Sequence, residues 1–236
     1  MGISERLYNH PGCDSYQRKY TALELFWERA GETINLGGSY TLSRSRGNIE
    51  GYVNSTLEQD DPGLTQDFDH YLFMDGGYGP LPNDRTHTIK VFGIYDFAEQ
   101  WQLGGNLIVQ SGRPINCQGY VPLEDIDQPD QGTLSPYSGS SFYCLNSDGV
   151  RELHQRGDLG RTPWSWSLDL SLAYVPAWGN EQLKFKLDVF NVFNNDKVTE
   201  YNEFSEASRD VLSANFLNDV NYQTPRSLRF TVRYDY

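Results

Sequence analysis

Two acidic segments carry carboxylates at spacings that a hard cation accepts. Segment 124–130, EDIDQPD, places four carboxylates close together, as calcium prefers, but it lacks the glycine and the closing glutamate of a hand-type loop. Asp67, Asp69, His70 and Asp75 form a second group, whose spacing fits no established ligand set. A solvated acidic loop explains both groups more simply. We therefore predict no metal site, while calcium binding in the acidic loops stays open.

One histidine and two serines could be drawn as a hydrolase pair. His154 would act as base for Ser165 or Ser167, yet no carboxylate and no nucleophile-elbow motif accompany them. The run 76–80, GGYGP, lacks the lysine and the strand-to-helix context of a phosphate-binding loop and is typical of a turn. The sequence therefore predicts no catalytic residues, no cofactor and no enzyme activity, and it does not identify substrate-binding residues.

The positions of the cysteines allow one disulfide but do not require it. Cys117 and Cys144 fall in the same predicted loop, whereas Cys13 lies alone near the start. In an oxidising compartment Cys117 and Cys144 would form a disulfide, and the alternative is two unrelated thiols. No paired-cysteine motif and no cysteine and histidine cluster indicates zinc.

The clearest structural pattern is a pair of strands joined by a short turn. From Trp164 to Tyr174, even-numbered residues are large and apolar while odd-numbered ones are small or polar, and after a turn near Gly179 the alternation resumes from Leu183 to Val189. Each run has about ten residues, which exceeds a usual soluble strand and suits a tilted strand that crosses a bilayer. Aromatic residues at the ends of the runs match the interfacial girdles of an outer-membrane barrel.

Seven such strands alternate with short turns and long loops. The turns lie near Gly31, Ala98 and Gly179, and we predict a short helix from Glu203 to Phe216 within the last loop. Short periplasmic turns and long extracellular loops are typical of outer-membrane barrels, so the predicted fold is an all-β antiparallel transmembrane barrel fragment. The strands are predicted at 19–29, 34–42, 86–97, 101–110, 164–174, 182–189 and 225–236, and the loops at 45–84, 112–161 and 194–224.

Composition excludes several classes of protein. With 236 residues, of which 38% are hydrophobic and 14% aromatic, the chain is not a disordered segment. It has no apolar run of about eighteen residues that would make a membrane helix. The net charge of -13 argues against nucleic acid, whose phosphates would be repelled. The three long loops hold 21 of the 32 acidic residues and seven of the 19 basic ones, so an acidic outer surface is predicted.

Charged residues on the strands take the polar face. A basic side chain on a lipid face costs about 2–4 kcal/mol at mid-membrane, so the polar face of a barrel must line the lumen. Across the turn near Gly179, we expect Asp169 to meet Lys186 or Lys184. The charged residues of this face are Glu24, Lys90, Asp96, Asp169, Lys184, Lys186, Asp188, Arg229 and Arg233.

Six short motifs follow one another along the chain. They are RKYTALEL (18–25), NDRTHTIKV (83–91), QSGRP (110–114), RTPW (161–164), DVFNVFN (188–194) and YQTPR (222–226). In this order and spacing the sequence resembles the C-terminal β-barrel portion of TonB-dependent outer-membrane receptors, specifically the Oar-like group, over roughly residues 15–236. The resemblance implies a barrel of about 22 strands around an N-terminal plug, which takes up ligands with energy from the TonB complex.

The resemblance sets the functional expectation. It implies part of a TonB-dependent receptor or transporter that takes up a ligand across the bacterial outer membrane. The implied partners are outer-membrane lipid, the plug and the remaining barrel strands, the TonB complex through that plug, and the barrel assembly machinery. The start of the sequence shows no signal peptide. The alternative is a small non-transporting outer-membrane barrel that acts as a surface adhesin or binding module.

The number of strands predicts an open sheet. In a series of seven antiparallel strands the first and the last run the same way, so they do not close a barrel by pairing with each other. We expect two free edges, at 19–29 and 225–236. Residues 1–18 are then the remnant of an extracellular loop before a barrel portion at 19–236, with Met1 an artificial or internal start. The sequence given contains no plug and no TonB box.

Overall fold

The computed structural model describes residues 15–51, 53, 55–57, 67–68, 71–122, 140–179 and 182–236. Within these ranges the regular secondary structure is almost entirely β, apart from a helical turn at Tyr71–Met74 and 3₁₀ turns at Ser55–Leu57 and Ala177–Gly179. The strands in chain order are β1 (Arg18–Arg29), β2 (Ile34–Gly47), β3 (Gly79–Pro80), β4 (His87–Ala98), β5 (Trp101–Gln110), β6 (Tyr143–Leu145), β7 (Arg151–Leu153), β8 (Ser165–Tyr174), β9 (Leu183–Phe190), β10 (Val198–Tyr201), β11 (Glu206–Ser208), β12 (Val211–Leu212), β13 (Asp219–Tyr222) and β14 (Ser227–Tyr234).

Seven long strands form one antiparallel sheet in the order β1-β2-β4-β5-β8-β9-β14. Neighbours in sequence pair in space because each connection folds one strand back along the previous one. Short connections follow β1, β4 and β8, and long connections follow β2, β5 and β9. The predicted fold class, an antiparallel all-β sheet with three short turns and three long loops, is confirmed.

The register places the predicted apolar positions on one face of the sheet. Because side chains alternate along a strand, each row of paired residues belongs wholly to one face. One row of the apolar face is Ile34, Tyr95, Leu103, Leu172, Leu187 and Phe230, and the adjacent row of the opposite face is Asn35, Ile94, Gly104, Ser171, Asp188 and Arg229. The apolar side chains are exposed on the edge strands, with 70% for Leu228 and 54% for Leu25, and mostly half-buried on the central strands β5 and β8.

Two bands of aromatic side chains border the apolar face. Near the long loops, His87 stacks between Tyr40 and Trp164, with ring centroids 6.1 and 5.6 Å away. Along β4, His87 and Phe97 are ten residues apart, which at a strand tilt of about 40° separates the bands by roughly 25 Å, the height of an outer-membrane apolar band. Near the short turns the band is a ladder of rings 4.4–6.4 Å apart, formed by Tyr95, Phe97, Trp101, Tyr174, Phe185 and Phe230.

Short strands also form within the long loops. β3 pairs with the end of β2, β6 with β7, β10 with β13, and β11 with β12. The predicted helix from Glu203 to Phe216 is wrong, because β11 and β12 form a hairpin whose turn residue Asp210 has a φ of 64°. Glu206 accepts hydrogen bonds from the Tyr120 backbone and the Arg151 side chain, and these long-range contacts outweigh the local helical preference.

The sheet is open at both sides. Among the described residues, β1 pairs with β2 alone and β14 pairs with β9 alone. Six antiparallel pairings separate these two strands, so they run in the same direction, as predicted. No helix in the described part of the chain has the length and the apolar composition needed to cross a membrane.

Candidate functional site

The three long loops pack against one another. We call the described residues of 48–86, 111–164 and 191–226 the loop cluster. Its apolar core contains Leu72 and Phe73 from the first loop and Val121 from the second, with Tyr71 and Tyr143 packed against them. Much of the remaining buried surface is polar, which requires hydrogen-bond partners for the buried groups. These partners join the loops to one another.

A disulfide joins two segments of the second loop. Cys117 and Cys144 are bonded, with Cα atoms 6.1 Å apart and a sequence separation of 27 residues. The structure therefore has the bonded pair rather than two unrelated thiols. The imidazole of His154 lies within 4.8 Å of both sulfur atoms. Because a disulfide offers no thiolate, this group does not hold a metal in the oxidised protein.

Non-reducing electrophoresis of the denatured chain tests this disulfide. We expect Cys144→Ser to slow migration as much as reduction does, because the cross-link keeps the unfolded chain more compact. Cys13→Ser is the control and should leave the mobility of the oxidised chain unchanged. A change for Cys13→Ser and none for Cys144→Ser would show that a different pair is bonded.

A buried ion-pair network connects the second loop to the third. Arg113 Nη2 donates to Glu203 Oε1 at 2.8 Å and to Glu200 Oε1 at 3.2 Å, and the Glu203 side chain is only 1% exposed. The backbone N–H of Asn116 donates to Glu203 Oε2 at 3.1 Å. Burial raises the pKa of Glu203 to about 7, against the opposing effects of Arg113 and Asn116. Sequence reasoning missed Glu203, because no motif or alternation marks it.

A second buried arginine attaches the first loop. Arg156 Nε donates to the Gly77 carbonyl at 2.6 Å, and its guanidinium carbon lies 4.9 Å from the centre of the Phe142 ring. Burial lowers the pKa of this guanidinium, while Asp67, Glu50 and Glu203 oppose the change. Buried arginines of this kind keep their charge because carbonyls and carboxylates surround them. The first and second loops therefore form one unit with the third.

Residues of the sequence motifs form hydrogen bonds and an ion pair between the loop cluster and the ends of the strands. The carboxylate of Asp84 accepts a hydrogen bond from the Ser45 backbone at 2.6 Å and pairs with the guanidinium of Arg161. Arg161 also donates to the Asp84 carbonyl at 2.7 Å, and Arg85 donates to the Ser111 carbonyl at 3.0 Å. These contacts give a physical reason for the polar residues in NDRTHTIKV, QSGRP and RTPW.

The polar face of the sheet carries an open trough of about 540 Å³. Phe92, Ile94 and Phe190 contribute apolar surface to it, although they lie on the face that is otherwise polar. Gly37 makes room for the aromatic ring, since a Cβ atom there would lie 2.8 Å from Phe92. Sequence reasoning missed Phe92 and Ile94; the signal was a break of alternation in β4, where apolar residues occupy both faces.

Asp188 is the centre of the charged groups in the trough. Its carboxylate pairs with Lys186 Nζ at 2.7 Å and with Arg229 Nη2 at 3.0 Å. Asp169 instead accepts hydrogen bonds from Ser167 Oγ at 3.0 Å and from the Asn191 backbone at 2.8 Å. The expected pairing of Asp169 with Lys186 or Lys184 is therefore wrong. In the register Lys186 lies opposite Ala173 and pairs with Asp188, and Lys184 lies two residues farther from Asp169 along β9.

The other candidate groups divide between turns and separate contacts. His154 pairs with Asp158 at 3.1 Å, whereas Ser167 donates to Asp169, so these side chains serve different contacts. Asp75 accepts a hydrogen bond from the Tyr143 hydroxyl at 2.8 Å. The glycine-rich run 76–80 forms a turn, as expected, with a φ of 70° at Gly76. The run ends in β3. Asp69, His70, Cys13 and the segment 124–130 lie outside the described residues.

Comparison with known proteins agrees with the fold. No family model matches the chain. The chain is 28% identical over 239 residues to the TonB-dependent transporter Oar of Myxococcus xanthus. The aligned region covers 84% of this chain and 20% of the relative. The chain thus spans about a fifth of the length of that relative.

Solved outer-membrane structures share the fold at low sequence identity. The outer membrane transporter YddB of Escherichia coli superposes with a TM-score of 0.54 at 11% identity, covering 92% of this chain and 25% of the transporter. The siderophore receptor PiuA of Acinetobacter baumannii gives 0.50 at 11% identity, covering 94% of this chain and 22% of the receptor. The sequence likeness to Oar and the fold shared with these solved structures confirm the predicted resemblance of the chain to the barrel of TonB-dependent outer-membrane receptors.

Proposed function

We propose that the chain forms the C-terminal barrel portion of a TonB-dependent outer-membrane receptor that takes up a ligand across the outer membrane. The observation that carries this proposal is the sheet itself. Its seven long strands present one continuous apolar face, bordered by two aromatic bands, and one polar face with the trough. Lipid on the first face and a lumen behind the second satisfy both sets of side chains.

The orientation follows from the connections. The short turns would face the periplasm, and the loop cluster would lie at the cell surface, where it forms part of the ligand entrance. In this arrangement residues 1–18 belong to an extracellular loop and residues 19–236 to the barrel portion. Loops usually carry the binding residues of such a scaffold, so we expect that the barrel portion does not specify the ligand.

The partners follow from the free edges and the polar face. Further barrel strands would pair with β1 and β14, and a plug would fill the lumen and connect the receptor to the TonB complex. Barrel assembly machinery would insert the protein. The relatives are described as transporters or receptors, and we propose no enzymatic role for this chain. A self-contained adhesin barrel is disfavoured because β1 and β14 are parallel to each other.

A chimera tests the proposal. We would replace the aligned segment of the Myxococcus xanthus transporter Oar with this chain and express the hybrid in that host. The expected result is a hybrid in the outer-membrane fraction that migrates differently in unheated and heated samples, as folded barrels do. The same hybrid without residues 225–236 is the control and should not assemble, because β14 is missing.

Two outcomes would contradict the proposal. One is degradation of the hybrid under conditions in which intact Oar assembles. The other is stable insertion of this chain alone, expressed with an export signal, with the same difference in migration between unheated and heated samples. That result would favour the self-contained adhesin or binding module.

A further inference from the structure

We propose that Glu203 is a proton-sensitive latch between the second and third long loops, held closed by protonation of its carboxyl group and loosened by deprotonation. The inference concerns the loop cluster and does not depend on transport. It rests on the position of Glu203 in the contact between the loops, on its burial, and on the charges that surround it.

Glu203 lies where the two loops meet. Its carbonyl accepts a hydrogen bond from the Gln118 backbone at 2.8 Å, and the Ser205 backbone donates to the Gln118 carbonyl at 2.8 Å. Its carboxylate contacts Arg113 and the Asn116 backbone, both on the second loop. Any movement that separates these loops therefore exposes the Glu203 carboxyl group to water.

The charges around Glu203 only partly offset the cost of burying its carboxylate. Two carboxylates, Glu203 and Glu200, share the single Nη2 atom of Arg113. Arg156 also interacts electrostatically with Glu203, but Glu50 and Asp67 act on the same guanidinium. Arg113 is thus shared by two carboxylates and Arg156 by three, so neither arginine is committed to Glu203 alone, and protonation removes the remaining cost of its buried charge. Of the two that share Arg113, Glu203 is the more buried, with 1% exposure against 23% for Glu200.

The direction of the pH effect follows from linkage. Burial raises the pKa of Glu203 to about 7 in the closed cluster, whereas a solvated glutamate has the ordinary value of 4.5. The closed form therefore binds the proton more tightly than an opened form. Closure is favoured most below pH 4.5 and is progressively weakened as the pH rises to 7. Each pH unit in this window changes the closing equilibrium by at most a factor of about ten, which gives about 300-fold over the window.

Amide hydrogen exchange of the full chain in detergent micelles tests the latch. Exchange of segments 113–122 and 198–206 is measured from pH 5 to pH 8 and corrected for the intrinsic rate. We expect the opening of both segments to increase with pH in the wild type and to stay low and constant in Glu203→Gln. Glu152→Gln, which neutralises an exposed loop carboxylate, is the matched control and should behave like the wild type.

A second variant separates the latch from a merely structural role of Glu203. Glu200→Gln leaves Arg113 to Glu203 alone, so the midpoint of the pH-dependent opening should move to lower pH. Infrared difference spectra of the wild-type chain between pH 5 and 8 provide a measurement that needs no variant, and they should show one buried carboxyl band that disappears near pH 7. Absence of that band, pH-independent opening in the wild type, or unchanged pH dependence in Glu203→Gln would overturn the proposal.

Discussion

Replacing Leu107 with arginine is expected to destabilise the sheet in a lipid bilayer by about 2–4 kcal/mol, the cost of a basic side chain at mid-membrane on the lipid face of a barrel. Leu107 lies in β5, where it pairs with Val91 on one side and Leu168 on the other. All three belong to the apolar face, between the two aromatic bands. Urea unfolding of the Oar hybrid that carries this chain, reconstituted in lipid vesicles and followed by tryptophan fluorescence, measures the change.

The adjacent residue supplies the matched control. Asn106 lies in the same strand but on the polar face, where it pairs with Asp169 and lines the trough. Asn106→Arg adds the same charge next to a carboxylate, and we expect a change of less than about 1 kcal/mol. Equal costs for Leu107→Arg and Asn106→Arg would show that the apolar face does not contact lipid.

The sheet could be predicted from sequence because its signal is local. Alternation from Trp164 to Tyr174 and from Leu183 to Val189 fixes strand, face and register together, since a shift by one residue would exchange the two faces. The proline and glycine residues near Gly179 fix the turn between these strands. Local signals also predicted the open edges, because each turn reverses the chain direction and seven strands leave the first and the last parallel.

Alternation does not separate the two faces of a strand where both are apolar. In β4, Val91 and Tyr95 lie on the apolar face of the sheet while Phe92 and Ile94 line the trough on the opposite face, so the sequence shows a run of apolar residues. The glycine that receives Phe92 lies on another strand, as Gly37 of β2. Sequence period alone does not report such a cross-strand fit, which depends on the register of the neighbour.

The interior of the loop cluster could not be predicted because its contacts are distant in sequence. Arg113 and Glu203 are 90 residues apart, and neither lies in a periodic segment that indicates burial. Local preference instead suggested a helix from Glu203 to Phe216. The structure replaces it with a hairpin, since Glu206 is engaged by Tyr120 and Arg151 from the second loop.

Replacing Arg113 with alanine is expected to have the largest effect in the loop cluster, a loss of about 1–3 kcal/mol at pH 8, as when a buried group loses its hydrogen-bond partner. The loss stays below that of a permanently charged pair because Glu203, whose pKa is about 7, can take up a proton instead. Glu203 would keep the Asn116 backbone N–H as a hydrogen-bond donor but would lose the nearest cation. The free energy of opening of segments 113–122 and 198–206, obtained from hydrogen exchange, measures this loss.

The charge of Glu203 decides whether that loss comes from the unpaired carboxylate or from lost packing. At pH 5, below its raised pKa of about 7, Glu203 takes up a proton, so Arg113→Ala should cost less there than at pH 8. The double variant Arg113→Ala/Glu203→Gln should recover the part of the loss that comes from the unpaired carboxylate, up to about 1.4 kcal/mol at pH 8, because no buried charge remains unpaired. Arg233→Ala is the control for loss of an arginine, since its pair with Asp235 is exposed and should contribute little. A loss that is the same at both pH values and unchanged in the double variant would show that the Arg113 side chain acts by packing, and the charge argument would then be wrong.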